Sequence, residues 1–213
     1  RLFARIARTV LLHFDESREH IRHRDFRVVG MPVRSEFQPR SSDTVRVAAR
    51  ALGFDPDRPL LAVIGGSQGA RPVNDLVIES LELLSREIPG IQILHVAGTR
   101  DLEQVRKRYR ISQTDGRVEG FFTDMPNLLA AASVVISRAG ASSLAEISRV
   151  GVPSVLIPFP QAADDHQLRN AEAFVPYHRA ALFKQSEATP ERLVDHVRSF
   201  VNGGSMTQTA GVS

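Results

Sequence analysis

Short runs of apolar residues alternate with segments in which apolar residues recur at helical spacing, from the first residues to about residue 200. Runs rich in β-branched residues predict strands, at 10–14, 26–29, 60–64, 91–96, 118–121, 134–137, 154–157 and 180–183. Helical spacing predicts helices at 42–51, 70–86, 101–110, 124–132, 141–150, 165–175 and 190–201. The strands are continuously apolar rather than alternating, which is typical of a parallel sheet that is covered on both faces. The alternation of strands and helices therefore predicts an α/β fold with a doubly wound, mostly parallel sheet.

Length and composition favour one globular domain. The chain has 213 residues, of which 42% are hydrophobic and 24% charged, as in ordinary soluble proteins with a substantial core. We find no internal repeat and no long linker, and we expect a single domain over 1–202. A flexible tail is expected over 203–213, where Gly, Ser and Thr dominate. The sequence begins in mid-pattern without Met, so we expect it to be one part of a longer protein.

Some classes of function are disfavoured by composition and charge. The chain contains no cysteine, which excludes disulfides and thiolate metal sites. No apolar run approaches the roughly 18–20 residues of a membrane-spanning helix. The net charge is only +3, and the basic cluster before residue 28 is interrupted by acidic residues. A solvated surface, or a contact with another domain, is therefore favoured over nucleic-acid binding, whereas an anionic membrane surface remains a plausible partner.

The first candidate for chemistry is GGSQGA at 65–70, which joins a predicted strand to a predicted helix. In open α/β sheets, ligands bind at this carboxyl edge. The glycines let the backbone approach a ligand, the helix amides favour an anion, and Ser67 adds a hydroxyl donor. The loop is not a P-loop, because the Lys-Ser/Thr pair is missing, and it is not a G-x-G-x-x-G fingerprint. An ordinary tight turn is the alternative for this loop taken alone.

The segment SRAGASSLAE at 137–146 is a second strand-to-helix junction that contains a glycine. Gly140 and the small residues after it start a helix whose amides stay accessible, so this end could hold a diphosphate without a metal. Glu146 lies about one turn further along, where its carboxylate could accept both hydroxyls of a ribose. A surface glutamate near a helix N-terminus is the alternative.

The segment PFPQAADDHQLRN at 158–170 offers polar groups after a third strand. The amides of Gln167 and Asn170 both donate and accept hydrogen bonds, as sugar hydroxyls require. A purely structural role, in which one of the aspartates at 164 and 165 caps the following helix, is the alternative. A metal site is disfavoured because no second histidine follows at i+4.

Two further positions complete the set of candidates. Arg34 ends the turn GMPVR and could pair with a phosphate or stack over a base. His95 lies inside a strand pattern, and we expect it to be packed rather than catalytic. Helix N-termini, one carboxylate and nearby amides thus converge at one edge of the sheet, which predicts a site for a nucleotide-sugar.

Five motifs together resemble the MurG family, the UDP-N-acetylglucosamine transferases that complete the lipid-linked precursor of peptidoglycan. They are GMPVR, GGSQGARPVN, GFFTDM, SRAGASSLAEI and PSVLIPFPQAADDHQLRNA, and they occur in family order over roughly residues 1–200. The resemblance implies a GT-B arrangement of two Rossmann-like domains. This chain is similar to the C-terminal, donor-binding domain, and we expect the N-terminal acceptor domain, with its GGTGGH-type loop, to lie outside it.

The resemblance also implies roles for individual residues. Ser67 would contact the diphosphate together with the helix start after Gly140, and Glu146 would bind the ribose. Phe122 would meet the uracil through its backbone, and Gln167, with His166, would read the sugar hydroxyls. The implied substrate-binding residues are Arg34, Ser67, Phe122, Ala141, Ser142, Ser143, Leu144, Ala145, Glu146 and Gln167. No metal and no cofactor is implied, and the catalytic base is expected in the N-terminal domain.

The implied reaction is an inverting hexosyl transfer in peptidoglycan synthesis. The C4 hydroxyl of undecaprenyl-pyrophosphoryl-N-acetylmuramoyl-pentapeptide attacks C1 of UDP-N-acetylglucosamine, and UDP departs. This chain would supply the donor site and be inactive alone, and the family works peripherally at the cytoplasmic face of the bacterial inner membrane. Two alternatives stay open: a GT-B transferase with a different lipid acceptor, or a donor-binding subunit that needs a partner chain. A nicotinamide-dependent oxidoreductase has little support, because the dinucleotide fingerprint is absent.

Overall fold

The computed structural model describes residues 7–12, 25–65, 70–160, 162 and 165–203. The chain forms two compact units, Arg1–Arg34 and Ser35–Ser213. In the first unit, β1 (Val10–Leu12) and β2 (Phe26–Val28) pair in parallel and form a two-stranded sheet. The strands predicted at 10–14 and 26–29 are thus found at Val10–Leu12 and Phe26–Val28, and residues 13 and 14 lie outside the described part of the chain.

The second unit contains a six-stranded sheet in which every neighbouring pair is parallel. Its strands are β3 (Leu60–Ile64), β4 (Gln92–Val96), β5 (Gly116–Glu119), β6 (Val134–Ser137), β7 (Ser154–Leu156) and β8 (Ala180–Leu182). They lie in the order β5-β4-β3-β6-β7-β8. The parallel sheet predicted from the continuous apolar runs is confirmed.

Helices connect these strands and cover both faces of the sheet. They are α1 (Ser42–Ala51), α2 (Arg71–Glu87), α3 (Leu102–Ser112), α4 (Met125–Ala131), α5 (Ala141–Val150), α6 (His166–Phe174) and α7 (Pro190–Val201). Helix α2 packs against α3 and α7, whereas α4 packs against α1 and α5, and α5 packs against α6. The doubly wound α/β fold is therefore confirmed, since each group of helices forms one layer.

The sheet is buried because helices cover both of its sides. All five residues of β4 and all four of β6 are buried. The apolar face of α2 supplies the largest helical share of this core, with Val73, Val77 and Leu84 fully buried. Val73, Val77 and Leu84 recur at i, i+4 and i+11, which is the spacing that keeps side chains on one face of a helix.

Strand β5 is the element whose position the apolar pattern misplaced. The pattern predicted a strand at 118–121, but the strand is Gly116–Glu119 and Phe121 is 64% exposed. Pairing with β4 determines the register, because Gly116 lies opposite Ile93 and Ile93 N–H donates to Asp115 O. A Cβ at Gly116 would lie 2.4 Å from the Tyr109 ring. The strand therefore begins at a glycine, which has no side chain and so does not appear in the apolar pattern.

Within the described residues, no helix is both long enough and apolar enough to cross a bilayer.

Candidate functional site

Two glycine-bearing junctions lie side by side at the centre of the carboxyl edge of the sheet. Strands β3 and β6 are parallel neighbours, with Ile64 opposite Ser137. After β3 the chain continues outward through β4 and β5, and after β6 it continues outward in the other direction through β7 and β8. The junctions after β3 and β6 therefore flank the topological switch point, where open α/β sheets bind ligands.

The junction after β6 presents backbone amides that no described group accepts. Gly140 caps α5 with φ −70° and ψ 140°, no side chain caps the helix, and its first turn carries no acidic residue. Leu144 N–H returns to Gly140 O at 3.0 Å, but the amides of Ala141, Ser142 and Ser143 have no hydrogen-bond acceptor in the described part of the chain. A helix end of this kind favours an anion.

Space in front of these amides is provided by Gly140. A Cβ added there would meet only Ser143 Oγ within 4 Å, at 3.9 Å. The predicted residues Ala141, Ser142, Ser143, Leu144, Ala145 and Glu146 all lie in the first two turns of α5. Leu144 is buried, and Ser142 is exposed.

The junction after β3 presents fewer amides than the sequence suggested. Ala70 caps α2 without a side-chain bond, and Pro72 has no N–H to offer. The next two amides, of Val73 and Asn74, both donate to Ala70 O, at 2.8 and 2.9 Å. Donors for a ligand at this junction must therefore come from Arg71 or from the turn at 66–69. That turn, and Ser67 with it, lies outside the described residues.

A buried polar network lies behind the start of α2. Asn74 Nδ2 donates to Ala97 O at 2.9 Å and to Asp101 Oδ2 at 3.1 Å, and Asn74 Oδ1 lies 3.0 Å from His95 Nε2. His95 Nδ1 lies 3.1 Å from the hydroxyl of Tyr109. Burial lowers the pKa of His95 to about 3 and raises that of Tyr109. His95 is fully buried, which confirms that it is packed.

Arg138 is a residue of this edge that the sequence reasoning did not select. Its guanidinium donates to Ile157 O at 3.0 Å, to Pro158 O at 2.9 Å and to Gln185 Oε1 at 3.0 Å. No carboxylate of the described residues lies within salt-bridge distance of it, and burial lowers its pKa. Arg138 therefore joins the ends of β6 and β7. Its position directly after an apolar strand, in front of a glycine, was the available signal.

The junction after β7 holds Gln167 in place. Phe159 N–H donates to Gln167 Oε1 at 3.0 Å, so the amide NH₂ of Gln167 is the group turned away from this contact. Asn170 Nδ2 donates to Ala139 O at 3.1 Å. Asn170 thus ties α6 to the β6–α5 junction. His166 begins α6 directly after Asp165, which has a left-handed φ of 52°.

Phe122 follows β5 at the far end of the edge. The guanidinium carbon of Arg117 lies 5.7 Å from the centroid of the Phe122 ring. Gly120 lets this segment approach the turn after β4, because a Cβ there would lie 3.3 Å from Thr99 Cα. The predicted residue Arg34 is the last residue of the first unit, so it is described separately from the others.

The described candidates lie in a definite order along the sheet edge. Phe122 follows β5, the α5 amides follow β6, and Gln167 follows β7. Three strand spacings of about 4.8 Å separate β5 from β6, and one more separates β6 from β7. Phe122 thus lies at one end of the sheet edge, the anion-favouring helix end lies near its centre, and the amide of Gln167 lies one strand beyond that helix end.

Comparisons with known proteins agree with this geometry. Residues 60–210 match the glycosyltransferase family 28 C-terminal domain. A protein of Desulfotalea psychrophila named UDP-N-acetylglucosamine–N-acetylmuramyl-(pentapeptide) pyrophosphoryl-undecaprenol N-acetylglucosamine transferase is 43% identical over 162 residues, which are 76% of this chain and 44% of that protein. A protein of the same name from Solibacter usitatus is 34% identical over 210 residues, 99% of this chain and 55% of that protein.

A solved structure gives the same result at the level of the fold. The crystal structure of MurG from Acinetobacter baumannii aligns with a TM-score of 0.67 and 25% sequence identity, over 96% of this chain and 58% of that one. The chain spans about half the length of the curated relatives it matches.

Proposed function

This chain belongs to the glycosyltransferase family 28 C-terminal domain family, and from that premise we propose that it is the donor-binding part of an inverting N-acetylglucosaminyltransferase. The donor is UDP-N-acetylglucosamine, and the acceptor is the lipid-linked N-acetylmuramoyl-pentapeptide named in its relatives. The complete enzyme works at the cytoplasmic face of the bacterial inner membrane, where such a lipid-linked acceptor would be reached.

The order of groups along the sheet edge is the observation that carries this proposal. We assign Phe122, which follows β5, to the uracil, and the amides of α5, which follows β6, to the diphosphate. We assign Gln167, which follows β7, to the sugar hydroxyls. A nucleotide-sugar has base, diphosphate and sugar in this same sequence, so one extended ligand would meet all three groups. Glu146, in the second turn of α5, is assigned to the ribose.

In this reaction, the chain stabilises the negative charge that develops on the departing UDP. In the transfer, the C4 oxygen of the acceptor forms a bond to C1 of the sugar while the bond from C1 to the phosphate oxygen breaks. The electron pair of that bond leaves with UDP, and the acceptor proton goes to a base outside this chain. We assign the stabilisation of this growing negative charge to the amides at the start of α5, which have no acceptor among the described residues. One well-placed donor of this type contributes about 3–4 kcal/mol in a transition state.

Calorimetry with UDP-N-acetylglucosamine tests the donor site on this chain directly. Glu146→Ala and Ser67→Ala should each lower the affinity about tenfold or more, since each removes hydrogen bonds of a charged partner. Glu79→Ala is the matched control, because Glu79 is exposed in the middle of α2, away from the carboxyl edge. Equal affinity in all three variants would remove the assignment. Assay of the full-length protein with different lipid acceptors tests the acceptor separately.

A further inference from the structure

We propose that Arg138 is a positioning residue that holds the side-chain amide of Gln167 in the orientation in which it donates hydrogen bonds to the sugar of the donor. The proposal rests on the proposed function, because that function assigns Gln167 to the sugar hydroxyls. Arg138 acts through one peptide group, the one that joins Pro158 to Phe159. All four residues belong to the described part of the chain.

The peptide group between Pro158 and Phe159 is hydrogen-bonded at both of its ends. Its oxygen, Pro158 O, accepts from Arg138 Nη1 at 2.9 Å. Its N–H group, that of Phe159, donates to Gln167 Oε1 at 3.0 Å. The peptide is trans and planar, so its oxygen and its hydrogen lie on opposite sides. A rotation that breaks the contact with Arg138 therefore also turns the N–H group away from Gln167.

The contact with Phe159 determines which end of the Gln167 amide is available to a ligand. A backbone N–H can only donate, so the Gln167 atom that it meets is the oxygen, and the NH₂ group is turned away. Gln167 is half-buried in the first turn of α6. Its side chain thus offers two N–H donors, which sugar hydroxyls can accept. A glutamine without this contact could rotate its amide by about 180° and offer its oxygen instead.

The orientation of this peptide group depends on Arg138 because the sheet ends just before it. The sheet holds the chain as far as Ile157, whose N–H donates to Ser137 O at 2.8 Å. Pro158 is buried and its ring fixes φ, so ψ of Pro158 is the dihedral that turns the next peptide group. Arg138 is the one donor to Pro158 O among the described residues, and it thereby fixes ψ.

Arg138 is itself held by acceptors that follow two different strands. Its Nη1 also donates to Ile157 O at 3.0 Å, after β7, and its Nη2 donates to Gln185 Oε1 at 3.0 Å, after β8. The guanidinium carbon lies 5.4 Å from the centroid of the Phe159 ring. Such a set of contacts requires the planar fork of an arginine, which a lysine lacks.

The charge of Arg138 also strengthens the donors of Gln167. Hydrogen bonds that follow one another in a chain polarise each other where the dielectric constant is low. A cation that donates to Pro158 O makes the N–H group of the same peptide a better donor. The stronger bond from that N–H group to Gln167 Oε1 makes the NH₂ group of Gln167 a better donor in turn. Arg138 therefore affects both the orientation and the strength of the sugar contact.

The test measures the affinity of this chain for UDP and for UDP-N-acetylglucosamine by calorimetry, because the two ligands differ only in the sugar. The variants are Arg138→Lys, which keeps the charge and loses the fork, Gln167→Ala, and the double variant. Arg58→Lys is the matched control. Arg58 is also half-buried and donates to a backbone oxygen, Gly90 O at 2.9 Å, but it lies at the amino edge of the sheet, before β3. Measurements are made at a temperature where circular dichroism shows each variant folded.

Arg138→Lys should lower the affinity for UDP-N-acetylglucosamine about fivefold, roughly the contribution of one hydrogen bond, and change UDP affinity less than about twofold. Gln167→Ala should have the same selective effect to at least that extent. The double variant should bind UDP-N-acetylglucosamine no more weakly than Gln167→Ala, because both changes act through one amide. Arg58→Lys should leave both affinities within about twofold. In the full-length enzyme, Arg138→Lys should raise KM for the donor and leave inhibition by UDP unchanged.

Three outcomes would overturn the positioning role. The first is an unchanged affinity for UDP-N-acetylglucosamine in Arg138→Lys or in Gln167→Ala. The second is an equal loss of UDP affinity in Arg138→Lys, which would mean that Arg138 acts on the diphosphate. The third is a double variant whose loss of binding free energy equals the sum of the two single losses.

If Arg138→Lys does not fold, Gln185→Ala is measured instead, since it removes one of the acceptors that hold Arg138. It should lower the affinity for UDP-N-acetylglucosamine about twofold to threefold and leave UDP affinity unchanged. An unchanged ratio of the two affinities would then overturn the proposal. Failure of the proposed function looks different, because the unchanged chain would bind neither ligand.

Discussion

The two strand-to-helix junctions at the centre of the sheet edge are alike in sequence and different in construction. The β6–α5 junction has Gly140 in front, no side-chain cap, and three amides for which the described residues provide no acceptor. The β3–α2 junction uses two of its helix amides on Ala70 O and lacks a third at Pro72. It has instead a buried polar network behind it. The first junction presents helix amides directly, whereas at the second the start of α2 is hydrogen-bonded to buried groups.

This difference separates two physical requirements of an anion site. Donors must be available, and they must stay in place without reorganising when charge develops. Helix α5 meets the first requirement through missing caps, and its start is tied to α6 by the contact from Asn170 to Ala139 O. Helix α2 is fixed to β4 and the segment after it by the hydrogen bonds of Asn74 with Ala97 O and with the ring of His95. The sharpest tests therefore change one junction and leave the other intact.

The largest expected effect is a loss of folding stability at low pH, caused by His95 in the network behind α2. The pKa of His95 is lowered by burial to about 3 in the folded chain, whereas an unfolded histidine titrates near about 6.5. Below that value the unfolded state binds a proton that the folded state does not, so stability falls with falling pH. The slope is about 1.4 kcal/mol per pH unit between roughly pH 6.5 and pH 3.

Urea unfolding at a series of pH values measures this slope. His95→Gln should remove the contribution of this group, so its stability should depend less on pH than that of the unchanged chain. The exposed His166 gives the control variant His166→Gln, which should keep the slope. If His95→Gln kept the full slope, the histidine would not be held neutral by burial.

The sequence predicted the elements well because local patterns determine them. Each described α-helix in the second unit begins and ends within two residues of its predicted bounds, whereas the short 3-10 helix Gln185–Glu187 was not predicted. Strands such as β4 and β6, buried on both faces, appear as continuous apolar runs. Strand β5 was misplaced because its pairing with β4 sets its start at Gly116, opposite Ile93, and a glycine adds nothing to the apolar pattern.

The position of the candidate site's backbone donors could be predicted from the sequence, because those donors belong to a recognisable motif. The α5 amides follow from small residues after a strand, and the structure describes them where the sequence expected them. The network of Asn74, His95 and Asp101 was not predictable in this way, because its partners are 21 to 27 residues apart along the chain. No periodicity marks a hydrogen bond between a helix and the strand after it.

The second-largest expected effect is a loss of UDP affinity when one amide donor at the start of α5 is removed. Proline is favoured at the first position of a helix, and Gly140 already has the extended conformation that suits the residue before proline. Ala141→Pro therefore removes one amide donor with little change in stability. The binding free energy of UDP should become less favourable by about 1.5–3 kcal/mol, which is the contribution of a hydrogen bond to a charged group.

Calorimetry with UDP and a melting curve check this pair of expectations. Ala141→Gly is the control, because it keeps the N–H group and should bind UDP almost as the unchanged chain does. If Ala141→Pro bound UDP with unchanged affinity, the amide of Ala141 would not contact the diphosphate. The amides of Ser142 and Ser143, or the β3 junction, would then have to supply the donors.

The smallest effect comes from placing charge at the same helix end. Ser142 is exposed in the first turn of α5, where an acidic residue stabilises a helix by about 0.3–1 kcal/mol. Ser142→Asp should therefore raise the free energy of unfolding while it lowers UDP affinity, because the new carboxylate and the diphosphate compete for the same amides.

Ser142→Asn, of equal size and without charge, should bind UDP more tightly than Ser142→Asp. The difference should shrink at high salt, since about 1 M salt screens exposed charges beyond roughly 3 Å. A rise in stability with no loss of UDP affinity would mean that the diphosphate lies at the α2 junction alone.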